Sequence, residues 1–157
     1  MIIENDYIDD IQKIWKENNS GYITYESNQI AINDEKMVKI VWRENEKTMA
    51  YAIVYLGKDF CKRDEFPNEI KNMPEKTAYI WEIVTDKNYK GKGIASKLIQ
   101  YIIEKYKGYY IYSCIDLSNI ASLKLHKKYG FKALYRFDKE YNNKMSSHVM
   151  MGKNNNN

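Results

Sequence analysis

The sequence predicts an α/β (α+β) fold, in which a mixed, mostly antiparallel sheet of about six to seven strands is flanked by about four helices. Two observations predict it. Apolar and polar residues alternate over residues 38–55 as in a β-hairpin. Further along, strand patterns at residues 78–85 and 109–115 are each followed by a helical pattern. A helix between two strands predicts that those strands form a central parallel pair, and we expect this pair to splay apart at its carboxyl end, where a ligand would bind.

The first third of the chain is predicted to contain a strand, a helix and the hairpin. Residues 1–3 read as a short strand, and Asp6 is placed to cap a helix that ends near residues 18–19. An apolar stripe at helical spacing marks that helix: Ile8, Ile11, Ile14 and Trp15. Residues 20–37 are either a second, shorter helix or a covering loop. The hairpin follows, with its turn at residues 44–47.

The rest of the chain alternates between strands and helices. Residues 58–76 contain both prolines and are expected to form a long loop. The elements expected after it are a central strand at 78–85, a helix at 94–107 capped by Gly108, a strand at 109–115, a helix from Ser118 or Asn119 to Gly130, a strand at 131–137, a polar turn at 138–147 and a strand at 148–151. We expect a single domain over residues 1–157, with about 152–157 as a disordered tail.

The charge distribution is that of an ordinary solvated surface. The chain has 25 Lys and Arg against 21 Asp and Glu, interleaved along most of its length, which argues against a nucleic-acid-binding module. Cys61 and Cys114 lack the spacing of metal ligands, so no metal site is expected. No signal peptide or membrane-spanning run is recognisable. The sequence thus predicts a cytoplasmic protein with no membrane or nucleic-acid partner.

Residues 90–96 are the stretch around which the other elements are organised. They read Lys-Gly-Lys-Gly-Ile-Ala-Ser and lie between the central strand and the first turn of a helix. The first amide groups of a helix carry partial positive charge, and glycines let a phosphate approach them closely. Lysines at positions 87, 90, 92 and 97 add charge. This pattern predicts a phosphate or pyrophosphate cradle; the alternative is a simple turn with solvated lysines.

A second group of polar residues occurs on the helix that begins near residue 119. Successive helical residues are about 100° apart, so Asn119, Ser122 and His126 are expected on one face. The opposite side, with Ala121, Leu125 and Tyr129, is expected to face the core. The polar face suits a chain such as pantetheine together with one group that can transfer a proton. The alternative is that Asn119 only caps the helix and His126 only lies on the surface.

The two groups together resemble the GNAT superfamily of acyl-CoA-dependent N-acetyltransferases. Its acyl-CoA signature, Arg/Gln-x-x-Gly-x-Gly/Ala, corresponds to residues 90–95, with Lys90 in place of Arg or Gln. Its second signature, Asn-x-x-Ala/Ser-x-x-Leu-Tyr/His-x-x-x-Gly-Phe, is matched at every position of residues 119–131. The resemblance covers about residues 78–137 closely, the hairpin in outline and the first 35 or so only in pattern.

The resemblance implies direct transfer of an acetyl group from acetyl-CoA to a primary amine, with Glu82 as the base acting through water and His126 as the acid. Tyr129 and Tyr112 are alternatives for the acid. Backbone amides near the end of the central strand would bind pantetheine and polarise the thioester, and those of the glycine turn would bind the pyrophosphate. The implied cofactor-binding residues are Ile83, Val84, Thr85, Lys90, Gly91, Lys92, Gly93, Ile94, Ala95, Ser96, Asn119 and Ser122.

Two other functions remain open from the sequence. A dinucleotide-binding domain would use Gly91, Gly93 and Asp116, but Ser96 stands at the third glycine and five residues separate the strand from the turn. A non-catalytic acyl-CoA-binding or sensor protein would need the same cradle without turnover. The residues leave the amine acceptor open. An exposed edge strand near the C-terminus would permit a homodimer.

Overall fold

The computed structural model of the protein describes residues 1–18, 25–58, 68, 72–141 and 143–155. The helices and strands are β1 (Ile2–Glu4), α1 (Ile8–Asn18), α2 (Tyr25–Asn33), β2 (Met37–Glu44), β3 (Lys47–Leu56), β4 (Thr77–Thr85), a 3-10 helix (Lys87–Tyr89), α3 (Ile94–Lys105), β5 (Tyr110–Asp116), α4 (Ile120–Lys128), β6 (Lys132–Tyr141) and β7 (Lys144–Asn154). The predicted order of elements is confirmed, and the shorter-helix alternative for residues 20–37 is confirmed over α2. The long loop predicted at 58–76 lies largely outside the described residues.

The strands form one seven-stranded sheet in the order β1-β2-β3-β4-β5-β7-β6. The pairs β1–β2, β2–β3, β5–β7 and β6–β7 are antiparallel. The pair β4–β5 is parallel, with a register from Thr77 against Tyr110 to Ile80 against Ser113. Both strands continue beyond that register, β4 to Thr85 and β5 to Asp116. The mixed, mostly antiparallel sheet and its parallel pair are therefore confirmed.

The residues group into two compact units, each built from separate parts of the chain. The first unit contains Met1–Tyr55 and Trp81–Ile102, and the second contains Leu56–Ile80 and Ile103–Asn157. Strand β4 contributes its first four residues to the second unit and its last five to the first. The single domain predicted from the chain length stays a prediction.

The hairpin of the first unit has a tight two-residue turn. Asn45 and Glu46 both have positive φ, 50° and 61°, between the paired residues Glu44 and Lys47. Positive φ at both central positions is the type I′ geometry that matches the twist of a hairpin. Strand β3 is buried continuously from Met49 to Tyr55, so both its faces are covered. Small alanines at positions 50 and 52 allow this coverage.

The start of α1 differs from the prediction by one residue. The Asp6 carboxylate accepts a hydrogen bond of 2.7 Å from the amide of Tyr7, not from within the helix. The Tyr7 carbonyl accepts from the amides of Asp10 and Ile11, each at 3.1 Å. Tyr7 therefore occupies the capping position of α1, and the Asp6 carboxylate holds the Tyr7 amide. The predicted apolar stripe is confirmed, because Ile11, Ile14 and Trp15 are buried.

The second unit corrects the prediction for the C-terminal segment. Residues 138–147 were expected to form a polar turn, but Asp138 pairs with Ser147 and Tyr141 pairs with Lys144. The strands therefore extend almost to the tip of a long hairpin. Its residues are mostly exposed, as at Glu140 and Met145. Polar side chains are compatible with strands that face solvent, so polarity alone was a poor sign of a turn.

The predicted tail is also wrong for residues 152–155. Residues 152–154 belong to β7, and Asn155 is buried. The Asn155 side-chain amide donates to the carbonyls of Ile103 at 2.6 Å and Tyr106 at 2.8 Å. Its backbone amide donates to Tyr109, and its carbonyl accepts from Gly108. These hydrogen bonds explain why an asparagine-rich end is ordered here. Residues 156–157 lie outside the described part of the chain.

Candidate active site

The glycine turn lies in the first unit, between β4 and α3, as the sequence predicts. Lys90 is extended, and Gly91 and Gly93 have positive φ of 81° and 73°. A Cβ atom built on either glycine would have no neighbour within 4 Å. The space beside the turn is therefore open, and glycine is required there by the backbone conformation. An open backbone turn of this kind can admit a phosphate group.

Helix α3 begins directly after this turn. The amide of Lys97 donates to the carbonyl of Gly93 at 3.2 Å, so Gly93 precedes the first turn of the helix. Helix geometry directs the amides of such a first turn away from the helix body, where they attract anions. Lys90 and Lys92 are exposed beside the turn. The Lys97 ammonium instead lies over the Trp42 ring, 4.7 Å from its centre, so its charge is directed toward β2.

The connector between β4 and the glycine turn is held by its own hydrogen bonds. Asp86 is buried, and its carboxylate accepts from the amide of Asn88 at 2.9 Å. The Asp86 amide donates to the carbonyl of Met49 on β3, also at 2.9 Å. The amide of Lys87 donates to the side chain of Asn18 at the end of α1. These contacts fix the position at which the chain enters the glycine turn.

Glu82 on β4 is bonded to a tyrosine from the neighbouring strand. The hydroxyl of Tyr51 on β3 donates to Oε1 of Glu82 at 2.8 Å. Glu82 keeps a small exposed fraction, while its carboxyl is largely surrounded by protein. This loss of hydration raises the pKa of Glu82 to about 7, although the Tyr51 hydrogen bond lowers it in part. Such a carboxyl can accept a proton near neutral pH.

The last residues of β4 are the predicted pantetheine-binding positions. Ile83, Val84 and Thr85 follow Glu82 directly and are all partly exposed. They belong to the same unit as Gly91 and Gly93. The first unit therefore holds the candidate base, the strand end and the glycine turn within one continuous stretch of chain, residues 82–96.

The second unit holds the other predicted group of residues on α4. Asn119 caps the helix, since its side-chain oxygen accepts from the amide of Ser122 at 3.1 Å. Nδ1 of His126 lies 2.7 Å from the carbonyl oxygen of Ser122. A carbonyl can only accept, so Nδ1 carries the proton in this contact. Nε2 of His126 is buried and has no hydrogen-bond partner within the described part of the chain, and the ring packs edge-on against Phe131 at 5.0 Å.

The predicted faces of α4 are wrong for two residues. His126 was expected on a polar outer face, yet it is buried with 3% of its surface exposed. Ala121 was expected to face the core and is exposed, whereas Leu125 and Tyr129 are partly buried. The helix has only weak amphipathic patterning, so the sequence marked its buried side poorly. Burial lowers the pKa of His126, an effect that its bond to Ser122 offsets in part.

The fold and the two signature segments are shared with a known protein family. The model of the acetyltransferase (GNAT) family matches residues 3–131. The chain belongs to the GNAT family. This confirms the resemblance seen in the two signatures, and with it the enzyme class of an acetyl-CoA-dependent N-acetyltransferase. No protein with a curated description matches the chain.

Solved structures of similar fold agree with this assignment. The ribosomal-protein-S18-alanine N-acetyltransferase from Escherichia coli superposes with a TM-score of 0.76 at 15% identity, over 97% of this chain and 91% of that one. An N-acetyltransferase from Staphylococcus aureus Mu50 gives 0.73 at 21% identity, over 98% of each chain. Arabidopsis thaliana NAA60, in complex with acetyl-CoA, gives 0.72 at 16% identity, over 98% and 97%. At these identities the likeness shows the GNAT fold.

Tyr51 is the member of the site that sequence reasoning missed. It was recognised only as one apolar position of the hairpin, 31 residues before Glu82 in the chain. Its pairing with Glu82 depends on how β3 and β4 lie beside each other, and no local pattern sets that register.

Among the residues that the structure describes, no helix combines the length and apolar character needed to cross a bilayer.

Proposed function

We propose that the protein transfers the acetyl group of acetyl-CoA to a primary amine, by direct attack within a ternary complex. The observation that carries this proposal is the Glu82 carboxyl, whose pKa is raised to about 7 and which lies eight residues before Lys90 at the start of the glycine turn. A base must be ionised at the working pH and still hold a proton well enough to remove it from an ammonium group. A carboxyl with an ordinary, lower pKa holds a proton too weakly to remove it efficiently from an ammonium group.

The binding of acetyl-CoA is proposed for the two backbone segments of the first unit. The open turn at Gly91 and Gly93, followed by the start of α3, suits the pyrophosphate. The amides of residues 83–85 are proposed to bind the pantetheine arm and polarise the thioester carbonyl. Lys90 supplies a point charge where the signature has Arg or Gln, so it cannot make the two parallel hydrogen bonds of a guanidinium. We therefore expect the backbone to contribute most of the pyrophosphate contacts.

The proposed reaction removes two protons from the acceptor nitrogen, delivers one proton to the leaving sulfur and exchanges a carbon–sulfur bond for a carbon–nitrogen bond. A water molecule passes one proton of the acceptor ammonium to Glu82, which frees the nitrogen lone pair. The nitrogen then bonds to the thioester carbonyl carbon, and backbone amides stabilise the oxygen that becomes negative. Collapse of this intermediate breaks the carbon–sulfur bond, and the nitrogen gives its second proton to the acid, which passes it to the sulfur. The CoA thiolate takes up a proton as it leaves.

His126 remains our proposal for the acid that protonates the thiolate, with one requirement. Its pKa is lowered by burial, and Nδ1–H is committed to the Ser122 carbonyl, so the neutral ring presents only a lone pair at Nε2. The imidazole must therefore gain a proton at Nε2 before it can give one. A pH–rate profile unchanged by His126→Phe would exclude this role and leave Tyr129 or Tyr112 as the acid.

The substitution Glu82→Gln tests the proposed base. We expect turnover to fall by about 10²-fold or more, because the amide cannot accept the proton. The affinity for acetyl-CoA should change little, because the carboxyl is not among the proposed cofactor contacts. The assay follows CoA release from acetyl-CoA with a panel of amines, amino acids, polyamines and peptides with free N-termini. Normal turnover in the variant would remove Glu82 from the mechanism.

Thermal unfolding tests cofactor binding separately from catalysis. A ligand at ~100 times its dissociation constant stabilises a protein by about 2.7 kcal/mol, which is roughly 2–4 °C for a chain of this size. We expect such a rise with acetyl-CoA and with CoA, and none with NAD. A rise without CoA release from any amine would instead indicate a non-catalytic acyl-CoA-binding protein.

A further inference from the structure

The contact between Tyr51 and Glu82 is the best-defined polar contact made by the candidate base. Tyr51 is completely buried on β3, and its hydroxyl lies 2.8 Å from Oε1 of Glu82. Both residues belong to the first unit. Among the described residues, the hydrogen bond shown to this carboxyl comes from the Tyr51 hydroxyl and ends on Oε1. Oε1 is thus held by the protein, and Glu82 as a whole residue keeps a partly exposed surface.

We infer that Tyr51 is a positioning residue for the base: its hydroxyl fixes Oε1 and stabilises the carboxylate, so that Oε2 is the atom that receives the acceptor's proton through water. This inference rests on the proposed role of Glu82. Because Tyr51 has no exposed surface, it is not placed to touch either substrate. It therefore acts on the reaction only through Glu82.

Two opposing effects make this contact decisive for the carboxyl. Removal from water favours the neutral acid, and the hydrogen bond from Tyr51 favours the anion. The same pairing raises the pKa of Tyr51, since burial and the adjacent carboxylate both oppose loss of its proton. The hydroxyl consequently stays a donor throughout the pH range in which Glu82 titrates. Without the Tyr51 hydroxyl, the effect of desolvation on the pKa of Glu82 would no longer be opposed by this hydrogen bond.

The direct test is the ionisation of Glu82 in the variant Tyr51→Phe. Protein carrying ¹³C at the glutamate carboxyls is titrated by NMR, and the Glu82 signal is assigned by its loss in Glu82→Gln. A hydrogen bond to a charged group stabilises it by about 1.5–3 kcal/mol, so we expect the acid dissociation constant to fall about tenfold or more. An unchanged constant would overturn the inference. If the Phe variant does not fold, Tyr51→Met removes the hydroxyl with another apolar side chain.

The matched control is Tyr101→Phe. The Tyr101 hydroxyl donates to a carboxylate oxygen of Glu4 at 2.6 Å, within the same unit. This variant also deletes a tyrosine hydroxyl from a carboxylate, so it should leave the Glu82 titration unchanged. A shift of equal size in the control would mean that loss of the Tyr51 hydroxyl acts through general loosening of the unit, which would contradict the inference.

Kinetics distinguish failure of the inference from failure of the proposed function. For Tyr51→Phe we expect the acidic limb of the pH–rate profile to move to higher pH, so that activity falls about tenfold at pH 6 and little at pH 9. The KM for acetyl-CoA should not change. If Glu82→Gln is inactive but Tyr51→Phe keeps the wild-type profile, the inference fails and the base stands. If Glu82→Gln is fully active, the base itself is wrong.

Discussion

The raised pKa of Glu82, which suits its proposed role as a base, lowers the stability of the fold at neutral pH. Its carboxyl on β4 is largely removed from water and, among the described residues, accepts a hydrogen bond from Tyr51. The folded protein therefore holds the proton of Glu82 up to a pKa of about 7, against an ordinary value of 4.5. Between those two values the folded state binds more protons than the unfolded state. The free energy of unfolding must then decrease as pH rises through this range.

A neutral replacement should remove this dependence. We expect Glu82→Gln to have nearly the stability of the wild type at pH 4.5 and to be more stable by roughly 1–3 kcal/mol at pH 8, because the amide never ionises. Urea unfolding at a series of pH values measures the difference. Glu104→Gln, at an exposed site on α3, is the control and should run parallel to the wild type. Parallel curves for Glu82→Gln as well would contradict the raised pKa.

At the scale of elements, the turn from β4 into α3 depends on two glycines. Gly91 and Gly93 have positive φ although nothing crowds their Cβ positions. An alanine would therefore be strained by its own backbone while also intruding on the open space beside the turn. The first effect lowers stability, and the second lowers affinity for a bound phosphate. The two can be separated by comparison with a glycine of similar conformation elsewhere.

Gly108 provides that comparison. It follows α3 with φ of 85°, close to the 81° of Gly91, and a Cβ atom there also has no neighbour within 4 Å. We expect Gly91→Ala and Gly108→Ala each to destabilise the fold by ~1 kcal/mol. Only Gly91→Ala should weaken acetyl-CoA binding, by about tenfold or more. Calorimetric titration with acetyl-CoA checks this, and equal affinities in both variants would count against the glycine turn as the pyrophosphate site.

At the scale of the whole molecule, the last described residues of the chain stabilise the second unit by hydrogen bonds to the end of α3. Asn155 connects the end of β7 to the end of α3 through the carbonyls of Ile103 and Tyr106. Carbonyls at the end of a helix have no intrahelical donor and need partners from elsewhere. The side-chain amide of Asn155 supplies two hydrogen bonds at once. The C-terminal segment is therefore structural and not a dispensable tail.

Removal of this amide should lower stability. We expect Asn155→Ala to reduce the free energy of unfolding by about 1–3 kcal/mol, because the carbonyls of Ile103 and Tyr106 both lose the Asn155 amide, although the Tyr106 carbonyl keeps its bond from the Tyr109 amide. Lys124→Ala, at an exposed position on α4 of the same unit, is the control and should lie within about 0.5 kcal/mol of the wild type. Thermal unfolding of the two variants checks this. Equal stabilities would mean that the contacts of Asn155 contribute nothing.

The sequence predicted most of the helices and strands but fewer of the contacts that hold them in place. The hairpin, the glycine turn and the parallel pair follow from patterns in consecutive parts of the chain, such as alternation in the hairpin and the two glycines before α3. The strands of residues 138–147 and the order of Asn155 could not be predicted in this way. Residues 138–147 are held by pairing between β6 and β7, and Asn155 is held by carbonyls at the end of α3; composition does not report such contacts.

By itself, the sequence determined the family, the order of elements and the position of the glycine turn, because each depends on local spacing and backbone preference. Only the tertiary structure decided the state of the two candidate catalytic groups. Glu82 and His126 differ from ordinary side chains through burial, and burial is produced by segments distant in the chain, as Tyr51 on β3 is from Glu82 on β4. A pKa follows the local environment, and that environment exists only once the strands and helices have packed.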